Sequence, residues 1–389
     1  MLRPREKRVN WGVHMKLPNT LATIVMLTAM STIQADIKPE TVGNETLARP
    51  ESTWMMVRNI LGSWYIFDAA DGKMHGLVDT TRFTPAVQPN LAKGEIYAAE
   101  SYYSRQHRGE RTDVVTTYDL ETLAPKAEVK IPNRLATVLN FRQYISLMDD
   151  GKHLAVFNMT PGQSVSIVDV EAQSFVGEIS TPGCALIMQT AGNGFLQICG
   201  DGRLQLIRLN GDGTEASRTR SKEVFDIEED PFFDRPVPTS DGWLVISYQG
   251  QVFEVTVDGD DIDVSTPWSL LTDEERAANW RPGGQQFYDY HAGLDLMFVL
   301  VNANGGFSHD DAGSEVWVYQ KSAQRKIASI SLASEGSNLW VSKGENPLLS
   351  VTAYDQQVHV FDAKRTKAVR TIGEAGISPG FIQGFGGGQ

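Results

Sequence analysis

The stretch VVTTYDLETLAPKAEVKI, residues 114–131, decides the fold. β-Branched and aromatic residues fill its first half, an Asp-led turn containing a proline follows, and a second apolar run closes it. Such a pattern makes two antiparallel strands joined by a short loop. The same hairpin returns at WYIFDAADGKMHGLV (64–78), VSIVDVEAQSFVGEI (165–179), LQLIRLNGDGTEASRT (204–219), VFEVTVDGDDIDVSTPW (252–268), VWVYQKSAQRKIASISL (316–332) and VHVFDAKRTKAVRTI (358–372). Counting 114–131, there are seven copies, and weaker strands such as HLAVFN (153–158), WLVISY (243–248) and LMFVLV (296–301) lie between them. A lone four-stranded sheet cannot bury both faces, whereas units packed radially bury each face against a neighbour. The expectation is an all-β chain, a seven-bladed β-propeller of four-stranded antiparallel blades over residues 54–380.

Helical patterning is sparse. LTDEERAANW (271–280) is the one clear candidate, with Thr272 as N-cap and Glu275 as its capping-box partner. It falls in the longest gap between repeats and reads as an insertion on one propeller face.

The ends read differently. Lys16 precedes an apolar run, Leu21 to Met30, which gives way to small and polar residues up to Ala35. This is the pattern of a cleavable signal peptide over residues 1–35. Met15 reads as the true start, with Met1 to His14 either an over-called start or an extended basic leader. Residues 36–53, with Pro39 and Pro50, read as an N-terminal arm, and residues 381–389 as a Gly-rich tail. Export to the periplasm follows as an expectation. Removing the leader takes away five basic residues and one acidic one and moves the net charge from −13 to −17. That sign disfavours nucleic acid and anionic lipid as partners. No apolar run beyond residue 35 is long enough for a membrane-spanning helix.

The two cysteines, Cys184 and Cys199, flank two apolar runs around an Ala-Gly-Asn-Gly turn. In an oxidising compartment they are expected to join across one hairpin, a loop closure that stabilises by roughly 3 kcal/mol. The alternatives are two unpaired core thiols or, with too few ligands nearby, a metal site.

The catalytic motifs fail: there is no G-x-S-x-G, no H-E-x-x-H, no Walker loop, and no G-x-G-x-x-G opening a helix. Three charged clusters remain. RQHRGERTD (105–113) sets His107 among Arg105, Arg108 and Arg111 and could grip a carboxylate or a partner's acidic edge, or be a solvated loop. DGDDID (258–263) has a calcium-loop flavour but lacks the distal Glu, so a turn is expected. SHDDAG (308–313) offers His309, Asp310 and Asp311 without a second histidine. No catalytic residue and no metal site is assigned to the chain.

The order of particular residues says more. RGERTDVVTTYDLETLAPKAEVKIP (108–132) resembles a segment of the amine dehydrogenase heavy-chain family, which carries an RGxRxDxVxxxD stretch followed by a Leu-x-Pro hairpin. GCALIMQTAGNGFLQICGDG (183–202) is similar as well, with both cysteines where the family has its heavy-chain disulfide. So are RSKEVFDIEEDPFF (220–233), PWSLLTDEERAANWRPGG (267–284) and AGSEVWVYQKSAQRKIASI (312–330). The RSK…EDPFF and PWSLL segments look closer to aromatic amine dehydrogenase than to methylamine dehydrogenase. One departure concerns the start of the propeller, where the family has a strand before the position of Trp54 and this chain offers only NETLARPES (44–52).

The resemblance implies a large non-catalytic subunit in a two-plus-two heterotetramer. Its light subunit would hold tryptophan tryptophylquinone and the catalytic base, and electrons would pass to a small blue copper protein. The complex would oxidise primary, on these segments aromatic, amines to aldehyde and ammonia. Heavy-chain residues just after the first strand line the amine channel in the family, and the position matched here is Met56, with core packing as its alternative. A stand-alone periplasmic propeller, acting as a hydrolase such as a lactonase or as an interaction module, is the rival reading.

Overall fold

The computed structural model describes residues 46–386, apart from 138, 374, 375 and 377. The leader and residues 36–45 of the expected arm lie outside the described residues. Strands dominate, and every one of the seven hairpins forms as a pair of adjacent antiparallel strands.

The division into blades corrects the expectation. Five sheets of four or five strands stand alone, and the remaining strands, residues 281–372, form one continuous eight-stranded sheet. Among the described residues five separate blades are present, not seven. The cause is the strand Arg325–Val341, which runs for 17 residues without a turn. Its first part pairs with Gly313–Gln320 and its last part with Leu348–Ala353. The run KIASISLASEGSNLW has no proline and no Asn-Gly or Asp-Gly pair to stop it, so hydrogen bonding continues through the corner at Gly336.

Each sheet packs both faces on its neighbours. Met56, Trp64 and Val78 of the first sheet meet Val87, Ile96 and Ala98 of the second. On the other side Met55, Val57 and Phe67 meet Trp340, Val358 and Val360 of the eight-stranded sheet. Met55 and Met56 thus point to opposite faces, as the period of two requires, and both faces are buried. Equivalent apolar layers join the second sheet to the third, the third to the fourth, the fourth to the fifth and the fifth to the eight-stranded sheet. The layers close a ring.

The expected Gly-rich tail is where closure happens. Ile382–Gly384 is a strand, paired with Trp54–Arg58 through Val57↔Ile382, Met56↔Gln383 and Met55↔Gly384. The C-terminus therefore supplies the strand that NETLARPES lacks, and the first sheet runs Ile382–Gly384, Trp54–Arg58, Ser63–Asp68, Met74–Asp79. The Arg142 guanidinium, just ahead of the third sheet, donates to the Ile382 carbonyl at 3.2 and 2.9 Å.

An antiparallel meander places successive turns at alternate ends. Within each sheet the turn between the second and third strands lies at the same end as the links that carry the chain to the next sheet. Contacts bear this out, since Gly305 N donates to Asn279 O and Tyr354 N to Glu335 O. This connector end includes the helix Asp273–Ala277, whose Thr272 cap and reciprocal Glu275 form the expected capping box.

Candidate functional site

Seven large apolar residues are exposed in turns or links among the described residues: Ile60, Leu61, Leu139, Met159, Ile227, Phe307 and Tyr354. All seven lie at the connector end. The other exposed large apolar side chains sit on strands. A single exposed apolar side chain is ordinary on a protein surface, but the gathering of these seven at one end of the ring makes that end the candidate contact face. Phe307 is 94% exposed.

Ile60 and Leu61 are fixed in place by their neighbours. Asn59 Oδ1 accepts from Leu61 N at 2.9 Å and Ser63 N at 3.0 Å, folding residues 59–62 into a tight turn. Gly62, at φ +105°, lets that turn lie directly on the Thr81 carbonyl, where a Cβ would collide. Arg58 reaches under both to the Thr84 and Arg82 carbonyls at 3.1 and 2.9 Å. Beside them Arg82, Phe83, Tyr103 and His107 line a cavity of about 370 Å³.

The buried charges nearby are spent on structure. Asp113 is fully buried and binds Arg111 through both carboxylate oxygens at 2.7 Å, while also accepting from Ser101 Oγ and Leu135 N. Glu100 is also fully buried. It accepts from Thr81 N, Tyr118 OH, Tyr102 OH and Thr116 Oγ1, and burial pushes its carboxyl above the ordinary range despite those donors. Asp289 takes Lys343 Nζ at 2.8 Å and Val341 N at 3.0 Å. Burial raises its pKa, but the charges of Lys343 and Arg142 outweigh this and hold it below the usual carboxylate value.

Of the residues singled out from sequence, Cys184 and Cys199 are disulfide-bonded across adjacent strands at the connector end. Met56 is fully buried between Gln383 and Ile66, packed in the layer with Trp54 and Trp64. Arg111 is structural, whereas Arg105, His107 and Arg108 are exposed at the tip of a long hairpin. Asp258 and Asp261 face each other across a two-residue turn. His309 stacks on Tyr248 at 4.5 Å. Sequence reasoning passed over Ile60 and Leu61, although their place between a buried strand and the glycine of a turn was a readable signal.

A family model described as methylamine dehydrogenase heavy chain matches residues 57–385. The chain belongs to the methylamine dehydrogenase heavy chain family. The match takes in the closing strand Ile382–Gly384. Relatives bearing that name include one from Paracoccus versutus, 29% identical over 82% of this chain and 75% of that protein. Another, from Methylophilus methylotrophus, is 27% identical over 82% and 78%. Among solved structures, a putative 6-phosphogluconolactonase from Bacteroides fragilis superposes with a TM-score of 0.59 at 13% identity, over 89% of this heavy chain and 99% of that one. A β-propeller domain from Myceliophteria thermophila gives 0.55 at 10%, over 83% and 98%. These last two speak to the fold alone, and the second, itself a β-propeller domain, agrees with a ring of sheets.

Proposed function

We propose that this heavy chain is the large, non-catalytic subunit of a periplasmic amine dehydrogenase, and that its connector end is the face on which the small, quinone-bearing subunit sits. The observation that carries this reading is the gathering of all seven exposed apolar turn and link residues at that end, in a chain of this family. The overall reaction would convert a primary amine and water to aldehyde and ammonia, releasing two protons and two electrons. The electrons would leave through a small copper protein. Tryptophan tryptophylquinone in the light subunit would supply the two-electron chemistry, and this chain would supply the scaffold and part of the channel wall.

The resemblance matches the channel wall to Met56, after a strand expected before Trp54; because Met56 is buried within the strand Trp54–Arg58, we place the wall instead at the turn 59–62 that follows it, with its exposed apolar pair Ile60 and Leu61. Met56 sits inside the strand and is better explained as core. An aliphatic pair at the channel mouth suits an amine with an apolar body, in keeping with the aromatic-amine pattern of the 220–233 and 267–284 segments.

The test is co-purification of the full chain from its source. A small cysteine-rich chain absorbing visible light should accompany it, and dye-linked oxidation of a primary amine should follow that complex. Purification of the chain alone, with amine oxidation found in fractions that lack it, would refute the assignment. Ile60→Asp with Leu61→Asp should release the small chain without changing the melting temperature of the large one.

A further inference from the structure

We propose that the tip of the hairpin formed by Glu95–Arg105 and Arg108–Asp119, together with the Arg82–Phe83 loop, is a basic clamp that holds a carboxylate-bearing edge of the small subunit. This rests on the reading above, and it adds the sign and chemistry of the contact. The chain is acidic overall, with a net charge of −13. At the connector end the link 221–236 carries Glu223, Asp226, Glu228, Glu229, Asp230 and Asp234. Against that background exposed Arg82 and His107 line one cavity, and Arg105 and Arg108 flank His107 at the hairpin tip, with Glu110 the one acidic residue of that tip.

These arginines are free to act. Of those on the hairpin, only Arg111 is in an ion pair among the described residues, and it is turned inward to Asp113. Arg105 and Arg108 face each other directly across the hairpin turn. Like charges so placed repel in the free chain and are relieved when an anion bridges them. Guanidinium groups suit such a role because their planar fork takes a carboxylate in two bonds.

The clamp has an apolar floor. Phe83 lies edge-on to Tyr103 at 5.3 Å and to His107 at 5.8 Å, forming the wall of the 370 Å³ cavity. The Arg82–Phe83 loop also carries the turn that presents Ile60 and Leu61, because Gly62 packs on Thr81 and Arg82. An apolar centre flanked by exposed arginines is the anatomy of a protein interface, with a dry core and a charged rim. A rim charge acts mainly on the association rate and on its dependence on salt.

The experiment is binding of the full-length chain to small subunit separated from the native complex, followed at low and at physiological ionic strength. The double variant Arg105→Glu with Arg108→Glu is compared with Lys364→Glu with Lys367→Glu, which makes the same change in net charge in the hairpin at the other end of the molecule. The clamp predicts an association rate lower by about tenfold or more at low salt for the arginine pair, a flattened salt dependence, and an effect of less than about twofold for the lysine pair. The neutral variant Arg105→Gln with Arg108→Gln should fall between, and equal melting temperatures would show that all the variants are folded. A wild-type chain that binds the small subunit, with the arginine and lysine pairs behaving alike, overturns the clamp and leaves the assignment standing. A wild-type chain that binds no small subunit overturns both.

Discussion

Ending the chain at Gly380 removes the strand that closes the ring, and the structure allows the cost to be worked out. Phe381, Ile382 and Phe385 are 6%, 0% and 2% exposed, so three large apolar side chains leave the core. At roughly 1.5–3 kcal/mol each, that is about 5–9 kcal/mol. The pairing of Met55, Met56 and Val57 with this strand is lost as well, at about 1 kcal/mol per hydrogen bond. The largely buried Arg142 guanidinium loses the Ile382 carbonyl, which adds about 1–3 kcal/mol. The total matches the whole stability of a typical domain, about 5–15 kcal/mol. The truncated chain should therefore fail to give a single cooperative unfolding transition and should be cut rapidly by protease. Ile382→Ala, costing about 2–5 kcal/mol, should still fold and should melt several degrees lower. Circular dichroism melts and limited proteolysis on the two forms decide the matter. A truncated chain melting cooperatively at the wild-type temperature would show that the ring does not depend on its C-terminal strand.

Three further outcomes are expected. Met56→Ala should destabilise the chain by about 2–5 kcal/mol through cavity formation and change turnover of small and large amines by the same factor; a shifted aromatic-to-aliphatic ratio at unchanged stability would instead put Met56 in the channel. Because burial raises the Glu100 carboxyl above its unfolded value, the folded state holds that proton more tightly, so this group's contribution to stability is present below the ordinary carboxylate range and is lost as pH rises through the raised value. Glu100→Gln should flatten that part of the profile in denaturant titrations at stepped pH, and wild-type and variant profiles that run parallel would contradict the sign. Replacing both Cys184 and Cys199 by alanine should cost about 3 kcal/mol in chemical denaturation with the same denaturant slope, and an unchanged midpoint would mean that the bond constrains little.

The hairpins were legible because alternation and turn residues are local. A run such as VSIVDVEAQSFVGEI states its own strand, turn and strand, and the capping box at Thr272 and Glu275 is equally self-contained. The blade count was not legible, because it depends on whether a corner breaks hydrogen bonding. Around Gly336 the lack of a strong turn pair permits a continuous strand but does not by itself distinguish a bent strand from two strands joined by a Gly-Ser-Asn loop. The closing strand was missed for a related reason. FIQG, residues 381–384, is too short to show a period beside the glycines that follow, and only its non-local pairing with Trp54–Arg58 makes it a strand. Met56 was placed at a channel mouth from its order in the chain, while its burial is set by two sheets that are distant in sequence.

The position of the proposed working face follows from the ring itself. Once both faces of every sheet are buried against neighbours, only the outer strands and the two ends remain exposed. At the end away from the connectors most links are short turns such as Asp258–Asp261 or residues 69–73, and large apolar side chains that they carry, such as Leu120 and Met148, are buried. At the other end the chain travels from an outer strand to the start of the next sheet, and apart from the three-residue link 181–183 it does so through the longer links 80–86, 132–144, 221–236 and 270–280. Those links can vary without disturbing the sheets, which is why the proposed contact face falls there. The same topology fixes which residue after the first strand can meet a partner. A strand ending at Arg58 points its next residues, Ile60 and Leu61, out of the connector end, whereas Met56, two residues earlier, faces the neighbouring sheet. A partner that covers this end meets the exposed pair and the arginine corner together, because Gly62 binds the two loops into one surface.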